Sequence, residues 1–232
     1  MLAEQQAVWA AYPADLKAQL HVIIVDDGSP KESRPGHKAI LETGLASDRL
    51  YRMLKDVRWN WLACRNLGVD QAETEWVLLT DIDHVLPEET LHRLVHGDLS
   101  ADRVYRLSRA DAPHPWPYQL RECKAYKIHP NTWLMTRAMY DRIGGYDERL
   151  SGCYGTDGEF RDRVHEQARS VVTLPHVLIR YPREIIADAS TTVFTRKNDP
   201  INDDDLIRRR EQRARVKGWR PLRLTFPWER VC

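Results

Sequence analysis

Trp76-Val77-Leu78-Leu79-Thr80-Asp81-Ile82-Asp83 is the stretch on which the reading of this chain turns. Four apolar residues in a row predict a short buried strand, and the acids that follow stop it. A second stretch has the same form. His21-Val22-Ile23-Ile24-Val25 is rich in β-branched residues and runs into Asp26-Asp27-Gly28-Ser29-Pro30, a turn-forming cluster. Strands that read as continuous apolar runs are buried on both faces, as in parallel sheets covered by helices. In such sheets ligands bind beyond the carboxyl ends of the strands, where both acid clusters lie.

Working outward, Ala3 to Leu20 has helical spacing interrupted by Pro13, Asp48 to Lys55 reads as a second strand, and Asn60 to Ala72 as a helix. Glu88 to His96 follows as a helix with Pro87 near its first turn. Val104 to Leu107 and Trp133 to Thr136 have strand character. Arg137 to Ile143 is helical and stops at Gly144-Gly145. Asp157 to Ala168 reads as a helix and Val171 to Tyr181 as one or two strands. Between them, Arg109 to Pro130 has no clear period and is expected to be a long loop or hairpin. The alternation predicts a largely parallel α/β sheet flanked by helices, with residues 1–196 forming one domain and residues 197–232 a charged tail packed on that domain or on a partner subunit.

Composition narrows the function. The 232 residues are 42% hydrophobic and 30% charged, which excludes a disordered or collagen-like chain. Lysine and arginine number 35 against 34 aspartate and glutamate, so no bulk positive charge exists to hold a nucleic acid, and none is expected as a partner. No apolar run reaches the ~18 residues of a transmembrane helix, and the N-terminus has no secretion-signal pattern. Four cysteines, Cys64, Cys123, Cys153 and Cys232, are too widely spaced for a zinc or redox motif. Together these features predict a cytoplasmic protein, with peripheral attachment at the inner face of a membrane as the variant.

In an extended segment residues i and i+2 share a face, so Asp81 and Asp83 are expected to point at one place with Ile82 turned into the core. Two like charges held close are relieved by a divalent cation, and hard oxygen ligands suit Mg²⁺ or Mn²⁺ completed by phosphate oxygens. Asp-x-Asp is also a common chance tripeptide; its position at a strand end is what gives it weight. Gly28 permits a turn after which Asp27 could accept hydrogen bonds from a nucleobase edge.

These segments, in order, resemble glycosyltransferase family 2: Val25-Asp26-Asp27-Gly28-Ser29, Ala63-Cys64-Arg65-Asn66-Leu67-Gly68, Glu75 to Asp83, Gly144-Gly145-Tyr146-Asp147-Glu148, and Tyr154-Gly155-Thr156-Asp157-Gly158-Glu159-Phe160. The resemblance covers roughly residues 20 to 180. It implies the GT-A fold, a Rossmann-like, mostly parallel sheet flanked by helices, and inverting transfer of a sugar from a UDP-sugar or other nucleotide-sugar donor to a hydroxyl, with Mn²⁺ or Mg²⁺. Carried over, it implies that Asp27, with Asp26 beside it, contacts the donor's base and that Arg65 lies against the base or phosphates. Asp83 would bind the metal, and Asp81 would reach the metal through water or hold the donor ribose. Asp157 matches the place of the general base, and Thr156 stands where the family more often has Glu. His84 and His176 are candidates for a third metal ligand, and Glu159 is a second candidate base. Trp116, Tyr118 and Tyr154 are candidates for sugar stacking. The acceptor, whether glycan, lipid-linked or protein, is not specified, and a homodimer is one arrangement.

The family usually begins with an apolar strand before the first helix, and this sequence opens inside that helix. Leu222 to Trp228 is expected to supply a covering strand, within the chain or across a dimer. The departure keeps a second reading in view, a catalytically impaired relative that binds a nucleotide sugar or glycan without turning it over. A nucleotidyltransferase would also use paired acids, but no Gly-rich phosphate loop follows the first strand.

Overall fold

The computed structural model describes residues 1–29, 31, 43–57, 59–111, 127–153, 155–181 and 203–232. The chain opens with two helices, α1 (Leu2–Ala11) and α2 (Ala14–Lys17), parted by Pro13. Strands β1 (His21–Asp26) and β2 (Ser47–Met53) precede helix α3 (Trp61–Asp70). Then come β3 (Trp76–Leu79), β4 (His84–Val85), α4 (Glu88–His96), β5 (Arg103–Asp111), β6 (Lys127–Ile128) and β7 (Trp133–Thr136). Helices α5 (Arg137–Ile143) and α6 (Asp157–Gln167) lead to β8 (Ser170–Arg180), α7 (Asp203–Arg215) and β9 (Trp228–Arg230).

Local chemistry accounts for the element ends. Pro87 caps α4 in an extended conformation, and Glu88 and Glu89 lie in its first turn, where the helix dipole favours acids. The Thr136 side chain accepts from the Met139 amide to cap α5. Gly144 ends α5 at φ 92° in the left-handed region, and Gly145 follows at φ 68°. A Cβ on Gly145 would come within 2.7 Å of Asn66 Oδ1, so both space and backbone require glycine there.

Among the described residues the strands form two sheets, one ordered β1-β2-β9 and the other β3-β7-β5-β8-β4 with β6 on β5. Parallel pairing joins β1 to β2 and β5 to β8, and the remaining pairs are antiparallel. The sheets are therefore mixed, with less parallel pairing than the alternation of strands and helices predicts. Antiparallel neighbours need no crossover helix, and β7 inserts between β3 and β5 in that orientation. The strand expected over Leu222 to Trp228 does not form there; the C-terminal strand, β9, shares only Trp228 with that stretch. β9 pairs with the outer edge of β2, and among the described residues no strand bridges β1 and β3. Helices cover β1 instead. Ile23 and Val25 pack with Ala63 and Leu67 of α3, while Val22 and Ile24 pack with Val8, Trp9 and Leu16 of the N-terminal helices. The largest core lies on the second sheet, where Trp133, Met135, Tyr140, Tyr146 and Phe160 meet.

The segment after α7 is tied to the turn that follows α5. The buried Glu148 carboxylate accepts from Asn66 Nδ2 at 2.8 Å, from the Leu224 and Thr225 amides at 2.7 Å each, and from Thr225 Oγ1 at 2.7 Å. Asp147 Oδ1 accepts from the Leu222 amide, and the Glu148 amide donates to the Leu222 carbonyl. Asp26 plays a similar part at the end of β1. Its Oδ1 accepts from the amides of Gly28 at 3.3 Å and Ser29 at 2.9 Å, and its Oδ2 from Arg52 Nε at 3.0 Å. Burial would raise the Asp26 carboxyl, but the bonds from Ser29, Arg52 and Gly28 outweigh it and hold its pKa below the ordinary range.

Two stability outcomes follow. Glu148→Ala removes an acceptor shared by four donors and is expected to cost about 2–4 kcal/mol in urea unfolding, with faster proteolysis after Arg223 as the C-terminal segment comes loose. Asp26→Asn is expected to cost about 1–3 kcal/mol at pH 7. Because its folded pKa lies below the unfolded value of about 3.9, Asp26 stabilises fully above that value and loses its contribution as pH falls through the folded pKa. The gap between wild type and Asp26→Asn should therefore close below about pH 4 in parallel urea titrations; an equal gap at pH 7 and pH 3 would refute the assignment.

Candidate functional site

Helix α3 sets the frame of the site. Its Arg65 side chain is only 8% exposed, and its guanidinium makes three hydrogen bonds. Nη1 donates to the Asn131 carbonyl and, at 3.2 Å, to the Tyr146 hydroxyl; Nη2 donates to Asp81 Oδ1. The Trp61 and Tyr146 rings lie 5.1 and 5.7 Å from its charged carbon. Arg65 thus joins α3, the loop before β7, the turn after α5 and the acids after β3. The neighbouring Asn66 completes the joint by accepting from Tyr140 Oη and the Tyr146 amide and donating to the Tyr146 carbonyl.

Past β3 the chain does not stay extended. Residues 82 and 83 form a turn closed by the His84 amide on the Asp81 carbonyl at 3.1 Å, so the expected i, i+2 geometry is absent. Ile82 is 45% exposed rather than turned into the core, and the two carboxylates have different partners. Gln5 of α1 holds this turn from below, donating to the carbonyls of Ile82 at 2.9 Å and His84 at 2.7 Å. Asp83 Oδ1 sits 2.7 Å from His84 Nδ1. Asp81 Oδ1 takes Arg65, and its Oδ2 lies 3.3 Å from Nε2 of His129. Thr132 Oγ1 is 2.7 Å from His129 Nδ1, and the rings of His84 and His129 lie 4.1 Å apart. Asp81, His84 and His129 offer one ligand atom each within 4.8 Å of one another. The donor set suits a cation, since among the described residues the buried His84 Nε2 has no hydrogen-bond partner.

The electrostatics agree with the packing. Burial would raise the Asp81 carboxyl, yet Arg65 beside it holds it below the ordinary range. Burial pushes the His129 imidazole down to about 3, which leaves it neutral with a lone pair to offer. Tyr146 is pushed up to about 12, chiefly by burial; Arg65 opposes the shift, and Asp81 and Asp157 add to it. Tyr146 therefore lies within electrostatic reach of both acids.

Asp157 is the first residue of α6 and is half-buried, and among the described residues no hydrogen bond or ion pair engages its carboxylate. Glu159, two residues on, is turned elsewhere, bonded through both oxygens to Arg163 at 2.9 and 2.8 Å. Asp27 is exposed at the end of β1, where the protein packed around its base and the charges of Asp26 and Asp56 raise its carboxyl. His176 lies by Arg93 and Glu89 of α4 and is not part of the histidine cluster. Trp116, Tyr118, Tyr154 and Cys123 lie outside the described residues. His129 was not singled out in the sequence, because it falls in the aperiodic stretch before β7 and only the tertiary fold brings it to Asp81. No described helix is long and apolar enough to cross a membrane.

Among curated proteins no sequence match to this chain is found. The crystal structure of S. aureus TarS 1-349 superposes with a TM-score of 0.53 at 18% identity, covering 79% of this chain and 57% of that one. The same protein in complex with UDP superposes with a TM-score of 0.53 at 17% identity, covering 92% of this chain and 70% of the other. The chain thus spans little more than half of the first of these structures, and at such identity the likeness is one of fold. Residues 10–105, which include both acid clusters and Arg65, match the family model for glycosyl transferase family 2. Over residues 10–105 the chain is thus similar to glycosyl transferase family 2, and its fold is the GT-A fold of these structures.

Proposed function

We propose that this protein transfers a sugar, with inversion, from a nucleoside-diphosphate sugar to a hydroxyl acceptor. The observation that carries the reading is the contrast between two acids with different surroundings. Asp81 is charge-balanced by Arg65, and Asp157 is a half-buried carboxylate that no described donor engages. A base must be close to its proton and unencumbered, and Asp157 has that character. In the proposal it takes the acceptor hydroxyl's proton as that oxygen attacks the anomeric carbon opposite the departing nucleoside diphosphate.

Asp27 receives the donor's base at the end of β1, and Asp26 holds the turn that presents it. Arg65 is a positioning residue, since both its terminal nitrogens are bonded within the protein, to Asp81, Tyr146 and Asn131, and it acts on the donor through Asp81. Asp81 offers its second oxygen to a divalent cation and Asp83 orients the site through His84. When bound, such a cation offsets the negative charge that gathers on the leaving diphosphate. The UDP complex of S. aureus TarS, a protein of the same fold, supports a uridine donor. The seam between β1 and β3 favours a second reading, a protein that binds the donor without turning it over.

UDP release from UDP-glucose, UDP-galactose and UDP-N-acetylglucosamine, with calorimetric binding of the same donors, separates these readings. Asp157→Asn should lower UDP release at least 100-fold, in the range typical of a lost general base, while leaving the donor dissociation constant within about twofold. Release at the wild-type rate in Asp157→Asn would remove Asp157 from the chemistry, and wild-type protein that binds a donor but never releases UDP would select the second reading.

A further inference from the structure

The buried face of the turn after β3 carries a nitrogen atom in want of a partner. Asp83 can only accept, so the bond between its Oδ1 and His84 Nδ1 places a proton on Nδ1, and in the neutral imidazole the lone pair is then the one on Nε2. His84 is 2% exposed, and among the described residues nothing donates to that nitrogen. A buried acceptor left unsatisfied costs about 1–3 kcal/mol, so an atom in this state calls for an occupant. Opposite it stands His129, 3% exposed, whose Nε2 faces Asp81 Oδ2 at 3.3 Å. Ligands about 2.1 Å from a common cation lie roughly 3–3.5 Å apart, the spacing this pair already has. The third atom needs to close by about 1 Å or so from within the 4.8 Å cluster.

The surroundings are those of a metal site. Histidine ligands are commonly fixed through their second nitrogen, and here Asp83 holds His84 Nδ1 while Thr132 Oγ1, 2.7 Å away, can accept from His129 Nδ1. Arg65 occupies Asp81 Oδ1, which limits Asp81 to one free oxygen and so to a single bond.

We infer that Asp81, His84 and His129 form a three-ligand site for a divalent transition-metal cation, with Asp83 and Thr132 orienting its two imidazoles. The inference deepens the reading above, on which its place beside the donor rests, by moving the cation from the paired carboxylates to a set with two nitrogens. That change alters the metal preference. Imidazole suits Zn²⁺ and its neighbours late in the first row such as Co²⁺, whereas Mg²⁺ favours an all-oxygen shell, so Mg²⁺ should be a poor occupant. Three protein ligands leave open positions for water or phosphate oxygens.

The test is titration of the chelator-stripped full chain with Co²⁺ alone, read by its visible ligand-field absorption and by calorimetry, with no nucleotide present. The expected result is one Co²⁺ per chain, displaced by Zn²⁺ and not by the same concentration of Mg²⁺. His129→Gln and His84→Gln should each weaken Co²⁺ at least 100-fold, and Thr132→Val, which leaves every ligand in place, about 10–100-fold. Circular dichroism shows whether each variant is folded, and Thr132→Val carries the test if the histidine variants are not. Mg²⁺ competing as well as Zn²⁺, or Co²⁺ absorption unchanged in folded His129→Gln or in Thr132→Val, would overturn the site. Failure here without failure of UDP-sugar binding removes the metal site alone, and Co²⁺ binding by a protein that ignores every UDP-sugar removes the donor reading alone.

Discussion

The buried cation Arg65 is the constraint around which the site is built. Taking a guanidinium out of water costs several kcal/mol unless each donor is used and a negative partner stands by. Asp81, the Asn131 carbonyl, the Tyr146 hydroxyl and the two aromatic faces meet that demand, and in meeting it they are fixed in place. The consequence for chemistry is subtle. Asp81 is neutralised at one oxygen but open at the other, so a second cation nearby sees about one free lone-pair direction rather than a bare carboxylate. A site of that kind needs additional ligands, and the two buried imidazoles are placed to provide them.

How much of this was legible in the sequence follows from the range of the forces involved. Period and turn chemistry act over a few residues, and they mark β3, α4 with Pro87 at its cap, and α5 with Gly144 at its end almost to the residue. The acids at the ends of β1 and β3 were legible for the same reason. Pairing is set elsewhere. The insertion of β7 beside β3, with Trp76 opposite Thr136, is decided by contacts sixty residues apart and leaves no local mark. Ile82 shows the failure most clearly. An alternating pattern assigns it to the core, but Gln5, far away in α1, bonds the carbonyls of Ile82 and His84 and stabilises a turn that puts the side chain in solvent.

The near-balance of charges over the chain conceals local pairing that serves the same end. Glu148 gathers four donors from α3 and the C-terminal segment, Asp147 takes another amide from that segment, and Arg213 of α7 reaches Glu166 of α6 at 2.7 Å. Exposed pairs such as the last contribute little individually. Glu148 is different, since a buried carboxylate with four donors makes any displacement of the Gly-Gly turn expensive. That turn begins beside Tyr146, and the stacked Tyr146 and Phe160 rings, 4.0 Å apart, transmit its position to α6, the helix that starts with Asp157. The C-terminal segment thereby acts on the placement of a residue it does not touch.

Helix α3 resolves the difficulty raised by two sheets that no described strand joins. Ala63 and Leu67 lie in the core against β1 and β2, while Leu62 and Val69 lie in the core of the second sheet. Residues one apart on a helix point about 100° away from each other, so a single rigid element can belong to both cores at once. Arg65 and Asn66 lie between these faces and point at the acids and at the Gly-Gly turn. The distance between Asp27 on one sheet and Asp81 on the other is therefore set by helix packing rather than by a strand ladder. Sheet ladders resist sliding through every backbone bond, whereas packed side chains can shear by small amounts, so the seam between β1 and β3 is where this fold can adjust its span to a molecule bound across both sheets.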